Sequence, residues 1–178
     1  MKKLFLSALF FGAFSCAYAA SSTSHNNQQA EAAPTVAKLT GIDSNNTPIN
    51  LQSLNGKVVL LTFYTAGCSI CERDVKLMRE FYRDNRNKDF VLIGVITEKK
   101  KEDFESYARI VKLATPKDQQ FRMMWKSHIQ SMEGIATIKT DPTHLVINRK
   151  GEIILRREGM FRSEDWDFLW ESIENNKL

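Results

Sequence analysis

The sequence predicts an α/β fold in which a central mixed β-sheet carries helices on both faces. Two continuous apolar runs, Val58–Tyr64 and Phe90–Ile96, have the composition of strands that are buried on both sides. Apolar residues between them recur with a helical period, so the three segments form a strand–helix–strand unit with parallel strands. Two further apolar segments, 144–147 and 153–156, flank a turn and predict an antiparallel hairpin.

The first 19 residues have the pattern of a secretory signal peptide. Lys2 and Lys3 are followed by apolar residues 4–14, and Ala17-Tyr18-Ala19 meets the small-residue rule for cleavage. The short basic start is typical of bacteria, so we expect export to the periplasm of a Gram-negative bacterium, where disulfides persist. Residues 20–35 are rich in Ser, Asn, Gln and Ala and predict a flexible linker, and residues 36–178 form the predicted domain.

Cys16 supports a competing interpretation of the N-terminus, in which a lipid is attached to this cysteine and anchors the chain to a membrane. Such a site usually has Leu three residues earlier, where this sequence has Ala13. Cleavage after Ala19 would instead remove Cys16 and leave Cys68 and Cys71 as the only cysteines of the mature chain.

The domain is predicted to begin with a β-hairpin extension over residues 36–49, around a turn at 43–46. Helical spacing predicts a helix over 104–111 and a last helix over 166–173, with Ser163 as its N-cap. A further helix, ending before Gly134, is predicted from the spacing of Phe121, Met124, Trp125, His128, Ile129 and Met132.

The charge balance argues against nucleic acid as a partner. The formal net charge is only +4, and two of these charges belong to Lys2 and Lys3 of the signal peptide. A surplus this small does not predict binding to nucleic acid or to an anionic membrane surface.

The candidate active site is Cys68-Ser69-Ile70-Cys71, which lies between the first buried strand and the helix that follows it. A helix N-terminus stabilises a thiolate, and the spacing of three brings both sulfurs to one side of the first turn. Cys68 would therefore attack a disulfide and Cys71 would resolve the mixed disulfide. A structural zinc site is disfavoured because it needs about four ligands. A c-type haem site is disfavoured because it needs a His at the position of Glu72. An inert structural disulfide remains an alternative.

Two segments resemble the TlpA-like periplasmic thiol-disulfide oxidoreductases, which have the thioredoxin fold. They are residues 56–64, which lead to the cysteines, and residues 141–152, where Pro-Thr enters a strand that ends in Asn-Arg-Lys-Gly-Glu. The resemblance covers about residues 36–178. It implies a thioredoxin-like fold and a Cys68–Cys71 disulfide that is exchanged with protein thiols, with reduction slightly favoured over oxidation. It also implies a redox partner protein and no cofactor beyond the disulfide.

The resemblance also implies roles for individual residues. Pro142 would be a cis-proline facing the cysteines, and Asp141 would face the sulfurs and a bound peptide. Asp74 matches an acidic residue that helps to set thiol acidity in the cytochrome-maturation branch, although it could equally be a surface helix carboxylate. Four features depart from the pattern. Gly67 stands where the family usually has Trp, and Thr62 replaces the buried Asp of cytoplasmic thioredoxins. Ser69-Ile70 replaces the commoner Pro-Pro or Gly-Pro, and Lys76 takes the place of a helix-kinking Pro.

Two other functions remain open from the sequence. Phe63-Tyr64-Thr65 resembles the Sco-like copper chaperones, which would imply copper held by Cys68, Cys71 and a histidine such as His144. Those proteins, however, space their cysteines by three residues rather than two. Met124, His128 and Met132 at helical spacing point to copper or, more simply, to a hydrophobic core. A redox-inert binding module on the same fold is the third possibility.

Overall fold

The computed structural model describes residues 35–175, so the predicted signal peptide, Cys16 and all but the last residue of the predicted linker lie outside the described residues. A seven-stranded mixed sheet has the order β2-β1-β5-β4-β3-β6-β7. The strands are β1 Lys38–Asp43, β2 Pro48–Asn50, β3 Val58–Tyr64, β4 Phe90–Ile96, β5 Arg122–Glu133, β6 Thr143–Ile147 and β7 Ile153–Glu158. The helices are α1 Ser69–Asn85, α2 Lys101–Ala114 and α3 Ser163–Glu174.

The strand–helix–strand unit predicted from the two apolar runs is confirmed. Strand β3 is buried along its whole length and pairs in parallel with β4, and β4 pairs in parallel with β5. Strand β6 pairs with β3 in the antiparallel sense and with β7 as a hairpin. The N-terminal hairpin is also present, since β1 pairs with β2 and extends the sheet beyond β5.

The helix predicted over residues 121–132 is wrong, because this segment forms strand β5. Its apolar residues serve both faces of the sheet: Met123 belongs to one hydrophobic cluster and Met124 to the other. The pairing of β5 with β1 contains register shifts, which break the two-residue alternation that normally identifies a strand. The irregular pattern that results has the spacing of a helix.

The two faces of the sheet are covered by different elements. Buried residues of all three helices, such as Met78, Phe104 and Leu169, belong to one hydrophobic cluster. The opposite cluster contains Leu39 and Ile49 of the N-terminal hairpin together with Ile135 of the loop after β5. The expectation of helices on both faces is therefore corrected: within residues 35–175, the three α-helices pack on one face, and the hairpin, the short 3-10 helix Leu51–Leu54 and the loop after β5 cover the second. No helix in this part of the chain is long and apolar enough to span a membrane.

Candidate active site

The two cysteines lie at the junction between β3 and α1 and form a disulfide. Cys68 is the N-cap of α1, and the backbone N–H of Cys71 donates a hydrogen bond to its sulfur at 3.3 Å. Cys68 is partly exposed, whereas Cys71 is 1% exposed. An incoming sulfur can therefore reach Cys68 more easily than Cys71.

Gly67 explains one departure from the family pattern. Its φ angle is +74°, in the left-handed region that residues with a side chain rarely adopt. A Cβ atom at this position would meet no atom within 4 Å, so the requirement for glycine comes from the backbone and not from crowding. A tryptophan at position 67 would need a different path of the chain into Cys68.

The loop that leads to the cysteines, residues 65–68, is held by hydrogen bonds from two neighbouring loops. The hydroxyls of Thr65 and Thr97 each donate to Oδ2 of Asp141 at 2.5 Å, and the N–H of Ala66 donates to the carboxylate of Glu98 at 2.9 Å. Asp141 precedes Pro142, so its carboxylate joins the loop before the cysteines to the loop before β6. This polar contact between loops is the structural role that the described residues give to Asp141.

The peptide bond between Asp141 and Pro142 is cis, as the resemblance implied. Pro142 directly precedes β6, which pairs with β3, and Thr143 lies opposite Phe63 in that pairing. Two hydrogen bonds stabilise the entry to the strand: Thr143 donates to the carbonyl of Thr140, and Gly159 donates to the carbonyl of Pro142.

Thr62, His144 and Asp74 form a buried hydrogen-bonded chain, here called the Thr–His–Asp chain. The Thr62 hydroxyl lies 2.9 Å from Nδ1 of His144, and Nε2 of His144 lies 3.2 Å from Oδ2 of Asp74. The backbone N–H of Phe161 donates to the same carboxylate oxygen at 2.9 Å. No side chain of the three is more than 1% exposed. The interpretation of Asp74 as a surface carboxylate is therefore wrong.

The burial of Asp74 had a signal in the sequence. Cys71, Asp74, Val75 and Met78 recur with the spacing of one helix face, and all four are buried in the structure. A carboxylate on the apolar face of a helix requires a partner. The sequence offered no comparable signal for His144, because a histidine in a central strand is equally compatible with packing alone.

An ion pair lies next to this chain and fixes the start of α3. Arg157 is the cross-strand neighbour of His144 and donates two hydrogen bonds of 2.7 Å to Asp165. Burial alone would raise the pKa of Asp165, but hydrogen bonds from Arg157 and from the N–H of Arg162 outweigh it and lower the pKa below its usual value. The Asp165 carboxylate is therefore held as an anion.

The structure does not assemble the copper ligands considered from the sequence. Both ring nitrogens of His144 are engaged, one with Thr62 and one with Asp74. His128 lies on β5, against the rings of Phe104 and Trp125, while Met124 is buried in the opposite cluster. Within residues 35–175, no group of three or more His, Cys, Asp or Glu side chains is arranged to hold a metal ion.

Comparisons with known proteins agree with this architecture. The AhpC/TSA family matches residues 30–156 of the chain. A thiol:disulfide interchange protein of the thioredoxin family from Chlorobium tepidum superposes with a TM-score of 0.65, at 19% identity, over 82% of this chain and 99% of that protein. StoA from Bacillus subtilis superposes with a TM-score of 0.57, at 20% identity, over 77% of this chain and 98% of that protein. These similarities establish a thioredoxin-like fold.

One sequence relative is a much longer protein, of which this chain matches only a small part. The protein DipZ of Mycobacterium tuberculosis is 34% identical over 82 residues. The match covers 43% of this chain but only 12% of DipZ. The relationship therefore concerns one segment of that protein.

Proposed function

Because the chain is an oxidoreductase that belongs to the AhpC/TSA family, we propose that it reduces disulfides of exported proteins through Cys68 and Cys71. The observation that carries the proposal is the asymmetry of the pair. Cys68 is partly exposed at the start of α1, and Cys71 is buried one turn further along. A pair with one accessible and one shielded sulfur suits a reaction in two successive steps.

In the first step the Cys68 thiolate attacks a disulfide of the substrate. The N-terminus of α1 and the N–H of Cys71 stabilise the negative charge of this thiolate. One substrate sulfur leaves as a thiolate, and the other remains bonded to Cys68 as a mixed disulfide. In the second step Cys71 loses its proton and attacks Cys68, which releases the second substrate sulfur and leaves the Cys68–Cys71 disulfide. A redox partner protein would then return two electrons to the pair.

Three nearby residues would support substrate binding. Gly67 leaves the approach to Cys68 without a side chain, and a Cβ there would meet nothing within 4 Å. The cis peptide at Pro142 would present the backbone beside the sulfurs to an extended substrate segment. Asp141 would hold that loop in place through Thr65 and Thr97.

Export to the periplasm is part of the proposal. It is supported by the basic and apolar pattern of residues 1–19 and by the small residues before position 20. N-terminal sequencing of the protein recovered from the periplasm would show Ala20 as the first residue, whereas a lipid on Cys16 would place the protein in the membrane fraction. The mature domain would then begin after a linker that ends at residue 35.

Trapping experiments test the reaction order. A Cys71→Ser variant is expected to accumulate mixed disulfides with periplasmic proteins through Cys68, because the resolving thiol is missing. The matched Cys68→Ser variant keeps one cysteine of the pair but should trap few proteins, since Cys71 is buried. Equal trapping by both variants would contradict the assignment of Cys68 as the attacking residue.

The redox potential tests the direction of electron flow. Titration of the pair in thiol buffers, followed by thiol alkylation, should give a potential near that of thioredoxin, about −270 mV. A value near about −120 mV would make the protein an oxidase of protein thiols. A pair that does not cycle in glutathione or dithiothreitol would refute the proposed function altogether.

A further inference from the structure

We propose that His144 and Thr62 are positioning residues that hold the Asp74 carboxylate ready to receive the proton of Cys71. The inference rests on the proposed function, because a cysteine pair that does not cycle has no proton to transfer. It assigns a role to the buried Thr–His–Asp chain, which the two-step reaction otherwise leaves unused.

One tautomer of neutral His144 satisfies the hydrogen-bond pattern around an ionised Asp74. An ionised Asp74 can only accept hydrogen bonds, so Nε2 of His144 must carry the hydrogen that is directed at Oδ2. In the neutral ring Nδ1 is then an acceptor, and the hydroxyl of Thr62, 2.9 Å away, donates to it. A hydroxyl serves this position because it can rotate to donate or to accept as the ring requires.

The same pattern leaves one oxygen of Asp74 for a proton. The hydrogen bonds from His144 and from the N–H of Phe161 both reach Oδ2. Among the described residues, no hydrogen bond reaches Oδ1 of Asp74. Cys71 and Asp74 are three residues apart in α1, a spacing that places side chains on one helix face about 5–6 Å apart at Cβ. Both residues are 1% exposed.

The proton transfer completes the second step of the reaction with balanced charges. The S–H bond of Cys71 breaks and its proton passes to Oδ1 of Asp74, while the sulfur forms a bond with Cys68. The bond between Cys68 and the substrate sulfur breaks, and its electron pair leaves with that sulfur as a thiolate. Reduction of the disulfide by the partner protein runs the transfer backwards and returns the proton to Cys71.

The surrounding charges do not supply an alternative proton acceptor. Arg157 of β7 is the cross-strand neighbour of His144, and it is paired with Asp165 of α3. Tyr64 of β3 lies on the same face of the sheet. Its pKa is raised well above the ordinary value, mainly by burial and secondly by the neighbouring Tyr107. It therefore stays protonated over the working pH range. Asp74 is the one carboxylate in direct contact with His144 among residues 35–175.

The reaction of the reduced protein with 5,5′-dithiobis(2-nitrobenzoate) separates the two cysteines in one experiment. Attack by Cys68 releases a first thionitrobenzoate at a rate that depends on reagent concentration. Attack by Cys71 on the mixed disulfide releases a second thionitrobenzoate at a rate that is independent of the reagent concentration. The pH profile of the second phase reports on the proton of Cys71, and the first phase serves as an internal control for folding and access.

Two substitutions remove the proposed support without adding charge. His144→Phe removes the donor to Asp74, and Thr62→Val keeps the shape of Thr62 without its hydroxyl. Hydrogen bonds to an anion favour the anion, so both variants should move the midpoint of the second phase to higher pH. The expected shift is about one pH unit, a tenfold loss of rate below the midpoint, with the first phase unchanged. Thr62→Ser and His144→Gln, which retain the hydroxyl and a donor near Nε2 respectively, should restore the wild-type profile.

The outcomes separate this inference from the proposed function. If the wild-type protein releases no second thionitrobenzoate, the proposed function itself fails. If both phases occur but Thr62→Val and His144→Phe leave the second profile unchanged, the proposed function stands and the role of His144 is refuted. A loss of stability without a shifted profile is the result expected of a purely structural hydrogen bond, and it also refutes the inference. Should His144→Phe fail to fold, the comparison of Thr62→Val with Thr62→Ser decides the question.

Discussion

The ion pair between Arg157 and Asp165 provides a direct test of how the start of α3, next to the Thr–His–Asp chain, is stabilised. Asp165 is 1% exposed and accepts hydrogen bonds from two nitrogens of Arg157 at 2.7 Å and from the N–H of Arg162 at 2.9 Å. Asp165→Asn keeps the size of the side chain but removes its charge and places an amide group opposite a guanidinium. The substitution therefore removes the attraction without creating a cavity.

The expected loss follows from the number and environment of these bonds. A hydrogen bond to a charged group contributes roughly 1.5–3 kcal/mol. The side chain of Arg157 is 26% exposed, so solvent screening weakens its share. We expect Asp165→Asn to lower the free energy of unfolding by about 2 kcal/mol at pH 7. Asp167→Asn is the matched control, because Asp167 is an exposed carboxylate of the same helix and should change stability by less than about 0.5 kcal/mol.

The pH dependence of this loss gives the sharper test. The pKa of Asp165 is lower in the folded protein than its usual value, so its charge stabilises the fold above the pKa of the unfolded chain, about 3.9. That contribution is lost as the pH falls from there through the lowered pKa of the folded state. Urea unfolding of the disulfide form, followed by tryptophan fluorescence, should show the gap between wild type and Asp165→Asn narrowing below about pH 4. A gap that stays constant down to the lowest pH would refute the electrostatic explanation.

Two further predictions concern a pair of glycines and the loops beside the cysteines. Gly134 and Gly159 both have positive φ angles, but a Cβ at Gly134 would lie 2.0 Å from the carbonyl oxygen of Val36, whereas one at Gly159 would meet nothing within 4 Å. Gly159→Ala should cost about 1–2 kcal/mol and Gly134→Ala clearly more, and equal losses in urea unfolding would contradict this. Asp141→Asn should weaken the hydrogen bonds from the two threonine hydroxyls and increase amide hydrogen exchange in residues 65–68. Exchange that matches wild type would show that the carboxylate does not hold this loop.

The order of strands and helices around the cysteines could be predicted because composition and local geometry agree there. Strand β3 is buried on both faces, so its sequence is an unbroken apolar run that is hard to mistake. Helix α1 has one apolar face, and its start is marked by Gly67 and Cys68. At these positions the local sequence preference and the tertiary environment favour the same structure.

Strand β5 could not be predicted because its structure is imposed by its neighbours. It pairs in parallel with β4 at one end and with β1 over much of its length, and both contacts join residues far apart in the sequence. The segment contains three Met residues and one each of Arg, Lys, Gln and Glu, all of which favour helices locally. Pairing on both sides outweighs this weak local preference.

Thr62 stands where cytoplasmic thioredoxins have a buried aspartate, and the structure shows which contact this threonine makes instead. On the sequence alone, Thr62 removes a proton acceptor from the site. In the structure Thr62 contacts His144, and His144 contacts a buried carboxylate on α1, so the acid group has a place on the helix instead of the strand. A second carboxylate at position 62 would face the same imidazole from its other nitrogen, and two buried anions near one neutral ring repel each other. Thr62 and Asp74 are therefore compatible as a pair, since the hydroxyl orients the histidine without adding a charge that would compete for the proton of Cys71.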